Sequence, residues 1–93
     1  MQDHELVREG NGFVVREGEE VIAEVTFRPQ GDATLVLDHT FVDPRLRGQG
    51  IAEKLVKRVV ELAREEGKKI VPACSYADAQ FRRHSEYHDV WER

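Results

Sequence analysis

Apolar and polar residues change their spacing once along this chain, and the change divides it into two parts. Phe13-Val14-Val15-Arg16 is followed by Glu17-Gly18-Glu19-Glu20, after which Val21, Ala23, Val25 and Phe27 alternate with Ile22, Glu24 and Thr26. Two-residue alternation on both sides of a short polar turn predicts a hairpin. Arg28-Pro29-Gln30-Gly31-Asp32 carries the next turn signal. Beyond it a third strand is expected, with Leu35, Leu37, His39 and Phe41 on one face and Val36, Asp38, Thr40 and Val42 on the other. Asp43-Pro44 ends that strand, because proline lacks a ladder donor and restricts the residue before it.

From Gly50 the period becomes helical. Ile51, Ala52, Leu55, Val56, Val59, Val60, Leu62 and Ala63 fall on one face, and Glu53, Lys54, Lys57, Arg58, Glu61, Arg64 and Glu65 cover the other, with Gly67 as the stop. Lys69-Ile70-Val71-Pro72-Ala73-Cys74 reads as a short apolar strand. Strand, helix, strand requires a right-handed crossover and parallel pairing. Ser75, with Asp78 three residues on, is expected to cap a short helix running through Phe81 toward His84, and Tyr87, Val90 and Trp91 supply a last apolar cluster. The expected fold is mixed α+β: an antiparallel three-stranded meander, a helix, a parallel fourth strand and a short C-terminal helix. All of it is expected in one domain over residues 1–93.

Composition adds exclusions. With 40% hydrophobic and 34% charged residues the chain has the make-up of an ordinary globular protein. Its apolar runs are only a few residues long and its amino terminus lacks the basic-then-apolar order of a signal peptide, so a cytoplasmic location and no membrane partner are expected. A lone cysteine, Cys74, allows neither an internal disulfide nor a thiolate zinc site, and the histidines show no metal-ligand spacing; no metal is expected. A formal net charge of −4 argues against nucleic acid as a partner, although Arg45 with Arg47, and Arg82 with Arg83, are suited to small anions.

The stretch Arg45-Leu46-Arg47-Gly48-Gln49-Gly50 stands between a strand end and a helix start. The first amides of a helix have no internal partner and the dipole is positive there, so an anion is favoured. Glycine at 48 and 50 leaves the backbone open to a phosphate, and the arginines add charge and forked donors. The Gly-Lys-Ser/Thr ending of a P-loop and the G-x-G-x-x-G spacing of a dinucleotide fold are both absent. A plain turn with solvated arginines is the alternative, but two glycines at a helix start carry a propensity cost that binding would explain.

In this setting the chain resembles the GNAT acetyltransferase superfamily, whose signature Arg/Gln-x-x-Gly-x-Gly/Ala is matched by Arg45, Gly48 and Gly50. The likeness covers roughly residues 13 to 91. It implies that acetyl-CoA or CoA is the co-substrate, that Arg45, Arg47, Gly48, Gln49, Gly50, Ile51 and Ala52 hold its pyrophosphate, and that the backbone near Phe41 and Val42 pairs with the pantetheine arm. Short members of the superfamily have counterparts to His39-Thr40-Phe41-Val42, Cys74-Ser75-Tyr76 and His84-Ser85-Glu86-Tyr87; Ser85 replaces the proline expected there. Longer members wall off the acceptor with helices between their first two strands, where this chain has only the turn from Glu17 to Glu20.

The implied activity is acetyl transfer to an amine acceptor, small molecule or protein; a non-catalytic acyl-CoA-binding module is the alternative. The likeness puts the thioester between the ends of the third and fourth strands, near His39 and Cys74. Cys74, at a helix start whose amides favour a thiolate, is either a nucleophile carrying an acetyl intermediate or a buried small hydrophobe. His39 is either a base or a structural histidine. Tyr76 is a candidate acid or thioester-binding hydroxyl, or packs on the sheet. His84, Tyr87 and His88 are weaker candidates, and Arg82 and Arg83 are either ligands of the CoA phosphates or solvated.

Overall fold

Two irregularities in otherwise regular strands decide which side chains face the core and which face the site. The computed structural model describes residues 4–93. A two-residue strand, β1 (Val7–Arg8), precedes the meander of β2 (Gly12–Glu17), β3 (Glu20–Gln30) and β4 (Thr34–Val42). A single turn of 3-10 helix (Pro44–Leu46) leads to α1 (Ile51–Glu66), followed by β5 (Lys69–Pro72), α2 (Ser75–Arg83) and a second 3-10 segment (Ser85–Val90). The sheet order is β1-β2-β3-β4-β5, antiparallel except for the parallel pair β4–β5. The mixed α+β architecture expected from the periodicities is the one observed; β1 was not anticipated, and β5 ends at Pro72, two residues early.

Helix α1 lies across β2 to β5 and buries Ile51, Leu55, Val56, Val59, Val60, Leu62 and Ala63. Each fully buried valine, leucine or isoleucine contributes roughly 1.5–3 kcal/mol, and this face is what fixes the helix to the sheet. Phe13, Val15, Ala23, Val25, Phe27, Leu35 and Leu37 meet it from below. Ala77, Phe81, Tyr87 and Val90 extend the same core beyond β5. Arg64 on the last turn of α1 holds the carboxylate of Asp89 through two bonds of 3.0 Å, and Trp91 bridges Ile70, so the C-terminal segment closes the β5 edge.

β4 carries one extra residue, Asp38, relative to β3: Thr26 pairs with His39 while the next residue, Phe27, pairs with Leu37. An extra residue shifts every later side chain to the opposite face. Leu35 and Leu37 therefore face α1, but beyond the bulge Thr40 and Val42 do so, and His39 and Phe41 point to the other face. This corrects the expectation of a common face for Leu37, His39 and Phe41. A second bulge, at Ile22 in β3, lets Ile22 join the core although strict alternation assigns it to the polar face.

Candidate functional site

β4 and β5 pair from Thr34↔Lys69 to Leu37↔Pro72 and then part. The amides of Ala73 and Cys74 both turn onto the Leu37 carbonyl, at 2.8 and 3.3 Å, which ends the ladder. Residues 38–42 of β4 remain paired to β3 on one side, while their other edge has no strand partner among the described residues. A slot with free backbone on one wall results.

The loop after β4 closes one end of this slot. Asp43 caps the 3-10 turn by accepting from the Arg45 amide at 2.9 Å, and Leu46 is buried in the core, which pins the loop between its two ends. Gly48 (φ +84°) and Gly50 (φ +72°) both adopt the left-handed conformation that other residues enter at a cost. Nothing lies within 4 Å of a Cβ built at either. Gly50 is the N-cap of α1 and offers no capping side chain, and the first helical bond is donated by Lys54 to the Gly50 carbonyl at 3.1 Å. The amides of Ile51, Ala52 and Glu53 precede that bond and have no acceptor among the described residues.

These amides border a cleft of about 430 Å³. Val42 lines it from β4; Leu46, Arg47, Gly48 and Gly50 from the loop; Ile51, Ala52 and Glu53 from α1; and Tyr76 from α2. The geometry suits an elongated anion: unpartnered donors and the positive end of a 16-residue helix border the cleft, and the free edge of β4 reaches it at Val42. No group of histidine, cysteine or carboxylate side chains able to hold a metal occurs among the described residues.

Not every residue expected in the loop faces the cleft. Arg45 turns away, bonded to Asp43 at 3.0 Å and within 3.4 and 3.8 Å of Glu20 and Glu17 on the β2–β3 hairpin. The guanidinium hydrogen bond, with that from the Arg45 amide, holds the Asp43 carboxyl below the usual carboxylate range. Arg45 thus ties the loop to the hairpin, and Gln49 does not line the cleft either. Arg47 does, and it makes no ion pair among the described residues.

The candidate reacting groups separate into two faces. Cys74, not Ser75, is the N-cap of α2: its Sγ accepts from the Ala77 amide at 3.4 Å. The same sulfur lies 3.8 Å from Oγ1 of Thr40, which the bulge has turned toward α1. Tyr76, two residues further on, is half-buried at the cleft; burial, and then the Glu53 carboxylate, push its hydroxyl above the ordinary value and keep it protonated. His39 is exposed on the opposite face of β4 and makes no hydrogen bond to Cys74, whose sulfur is engaged by Thr40 and the Ala77 amide. The slot therefore has Cys74, Thr40 and Tyr76 on one side and His39 and Phe41 on the other. Thr40 was the residue that reasoning from the sequence overlooked; only the Asp38 bulge brings it to the thiol. His84 stacks on Tyr87 at 5.2 Å, and His88 bonds the Phe81 carbonyl at 2.9 Å, so both serve the C-terminal packing. Arg82 is paired with Asp78 at 2.8 Å.

A family model described as GCN5-related N-acetyl-transferase matches residues 12–90. Human N-acetyltransferase 8 is 43% identical over 68 residues, 67% of this chain but only 30% of that protein, so the chain spans less than a third of the length of such curated relatives. Among solved structures, a GCN5-like protein from Staphylococcus aureus superposes with a TM-score of 0.82 at 35% identity, covering 99% of this chain and 91% of that one. A GNAT family acetyltransferase from Elizabethkingia anophelis, solved with acetyl-CoA bound, shares the fold at a TM-score of 0.57 and 20% identity, over 77% of this chain and 50% of that one.

Proposed function

The chain belongs to the GCN5-related N-acetyltransferase family, and on that premise we propose that it moves the acetyl group of acetyl-CoA to an amine, with acetyl-CoA lying along the slot between β4 and α2. The observation that carries this reading is that two features meet at one cleft: unpartnered amides at the start of α1 line it, and the unpartnered edge of β4 runs into it at Val42. The first is suited to the pyrophosphate, assisted by Arg47. The second is suited to the amide groups of the pantetheine arm, which it would bind as a strand binds a strand. The loop's Cα-to-amide geometry rests on Gly48 and Gly50, and on Leu46 as the buried anchor.

With the cofactor so placed, the thioester comes to the point where β4 and β5 part. The amine must first lose its proton; His39, on the open face beside the slot, is the candidate base. The amine nitrogen then attacks the thioester carbonyl carbon, the C–S bond breaks, and the sulfur leaves as a thiolate. Tyr76 is suited to return a proton to it, because its hydroxyl is held in the protonated form. Cys74 offers a covalent variant in which its thiolate takes the acetyl group from CoA and the amine then takes it from Cys74. The Ala77 amide at the sulfur and the Thr40 hydroxyl beside it support that variant.

Incubation with acetyl-CoA and a panel of amines and peptides, read by mass, tests the activity. Acetylated amine is expected, and an acetyl mass on Cys74 if the route is covalent. Full turnover by Cys74→Ala excludes the covalent route. Stabilisation by acetyl-CoA with no acetyl transfer to any acceptor would reject the enzyme and leave an acyl-CoA-binding module.

A further inference from the structure

On the face of the sheet opposite α1, the register aligns Val7, Val14, Glu24 and Phe41 in one row running across four strands, from the β1 edge to the slot. The two large apolar side chains that remain exposed in the described structure, Val7 at 45% and Phe41 at 41%, are the two ends of this row. A hollow of about 410 Å³ lies at its far end, lined by the exposed Val7, the buried Val14 and Ile22, and the charged side chains of Glu9, Arg16 and Glu17. Between the ends stands Glu24, half-buried, with no ion pair and no side-chain hydrogen bond among the described residues. Its cationic neighbour Arg16 is taken by Glu9 at 2.7 Å. A hollow with Val7 at its rim, a carboxylate without an ion-pair partner, an exposed aromatic ring and then the slot thus follow one another on a face that carries no helix among the described residues.

We infer that this row is the docking track for the acceptor, and that the acceptor is a basic polypeptide segment bound across the open face. The inference rests on the acetyl-transfer reading for the direction in which the acceptor points, with its lysine ammonium passing Phe41 into the slot. Strands are spaced about 4.8 Å apart, so the row spans about 14 Å, which an extended peptide covers in about four residues. Side chains on one face of such a peptide recur every second residue. A basic side chain two positions from the acceptor lysine reaches Glu24, and an apolar one four positions away reaches the exposed Val7 at the rim of the hollow. Charge complementarity selects this occupant: Glu24 is the carboxylate of the row and makes no ion pair among the described residues, in a chain of formal charge −4.

The test uses fluorescent peptides of the patterns Leu-x-Arg-x-Lys and Lys-x-Arg-x-Leu, with small polar residues at x, against versions carrying glutamate or alanine for the arginine. Binding to the CoA-saturated protein is read by anisotropy, and acetylation by mass. An arginine peptide of one direction is expected to bind more tightly than its alanine version. Glu24→Gln should remove that preference, a change of about two- to fivefold as for an exposed charge pair, and Glu24→Lys should transfer the preference to the glutamate peptide. Val7→Ser should weaken all of these peptides, which share the leucine, and leave the preference for arginine over alanine in place. All three variants should keep the wild-type thermal shift with CoA. Equal binding of all peptides, no response to Glu24→Lys, or competition by a short polyamine as effective as the peptide would overturn the inference. Peptide preference without acetylation would reject the transfer reading and leave the docking track standing.

Discussion

Replacing Gly48 with alanine separates what the loop's backbone contributes to the cofactor site from what it contributes to the fold. Gly48 has φ +84° and open space where a Cβ would stand, so the whole cost of alanine in the unliganded protein is conformational. For an L-residue in the left-handed region that cost is about 1–2 kcal/mol. If the loop keeps its shape, the melting temperature falls by roughly 4–16 °C in a domain of this size. If it relaxes to negative φ, the amides that follow turn away from the cleft, and the same energy appears as an affinity loss of roughly 5- to 30-fold. If the loop keeps its shape, the new methyl group also stands in the open space beside the backbone that the pyrophosphate is proposed to enter. Gly31 is the control: φ is +67°, nothing lies within 4 Å of its Cβ position, and it sits in the β3–β4 turn at the opposite end of β4. Gly31→Ala should lower stability to a similar extent and leave CoA affinity unchanged. Melting curves with and without CoA, with calorimetric affinities for both variants, decide the matter. Equal destabilisation with wild-type CoA affinity in both would refute the assignment of the loop.

Three further outcomes follow from the geometry. Arg47→Gln should weaken CoA binding several-fold and reduce its salt dependence, whereas Arg45→Gln, whose charge is spent on Asp43 and the hairpin, should change affinity much less; titrations at two salt concentrations distinguish them. Because the folded carboxyl of Asp43 titrates below its unfolded value, its contribution to stability is complete above about pH 4 and is lost as pH falls through the lowered folded value. Asp43→Asn should flatten that acid limb in denaturation curves taken from pH 2 to 6. Leu46→Ala removes the buried anchor of the loop and should cost about 2–5 kcal/mol in urea unfolding while also weakening CoA.

Helix α1 and the loop before it were legible in the sequence because each is a local signal: a sustained 3.6-residue apolar period, and glycines where a strand gives way to a helix. The parallel strand β5 followed from the crossover rule once α1 was placed. What escaped depends on partners distant in the chain. The Asp38 bulge exists only in the pairing of β4 with β3, so alternation alone put His39 with Leu37 and hid Thr40, the residue that meets Cys74. The Ile22 bulge has the same origin. β1 is two residues long, too short for any period to show. Cys74 in place of Ser75 as the cap depends on where β5 lets go of β4, which the apolar run through Cys74 concealed. The signature pattern included Arg45, but its side chain was decided by three carboxylates on or beside the hairpin turn.

The central claim is that one cleft joins the amides at the start of α1 to the free edge of β4 around acetyl-CoA. Titrating isotope-labelled protein with acetyl-CoA and following backbone amide resonances tests it most directly. The amides of Gly48, Gly50, Ile51, Ala52 and Glu53 should shift together with those of residues 38–42, saturating at a common ligand concentration, while those of the β3–β4 turn stay in place. Shifts confined to another surface, or none at millimolar acetyl-CoA, would contradict the account.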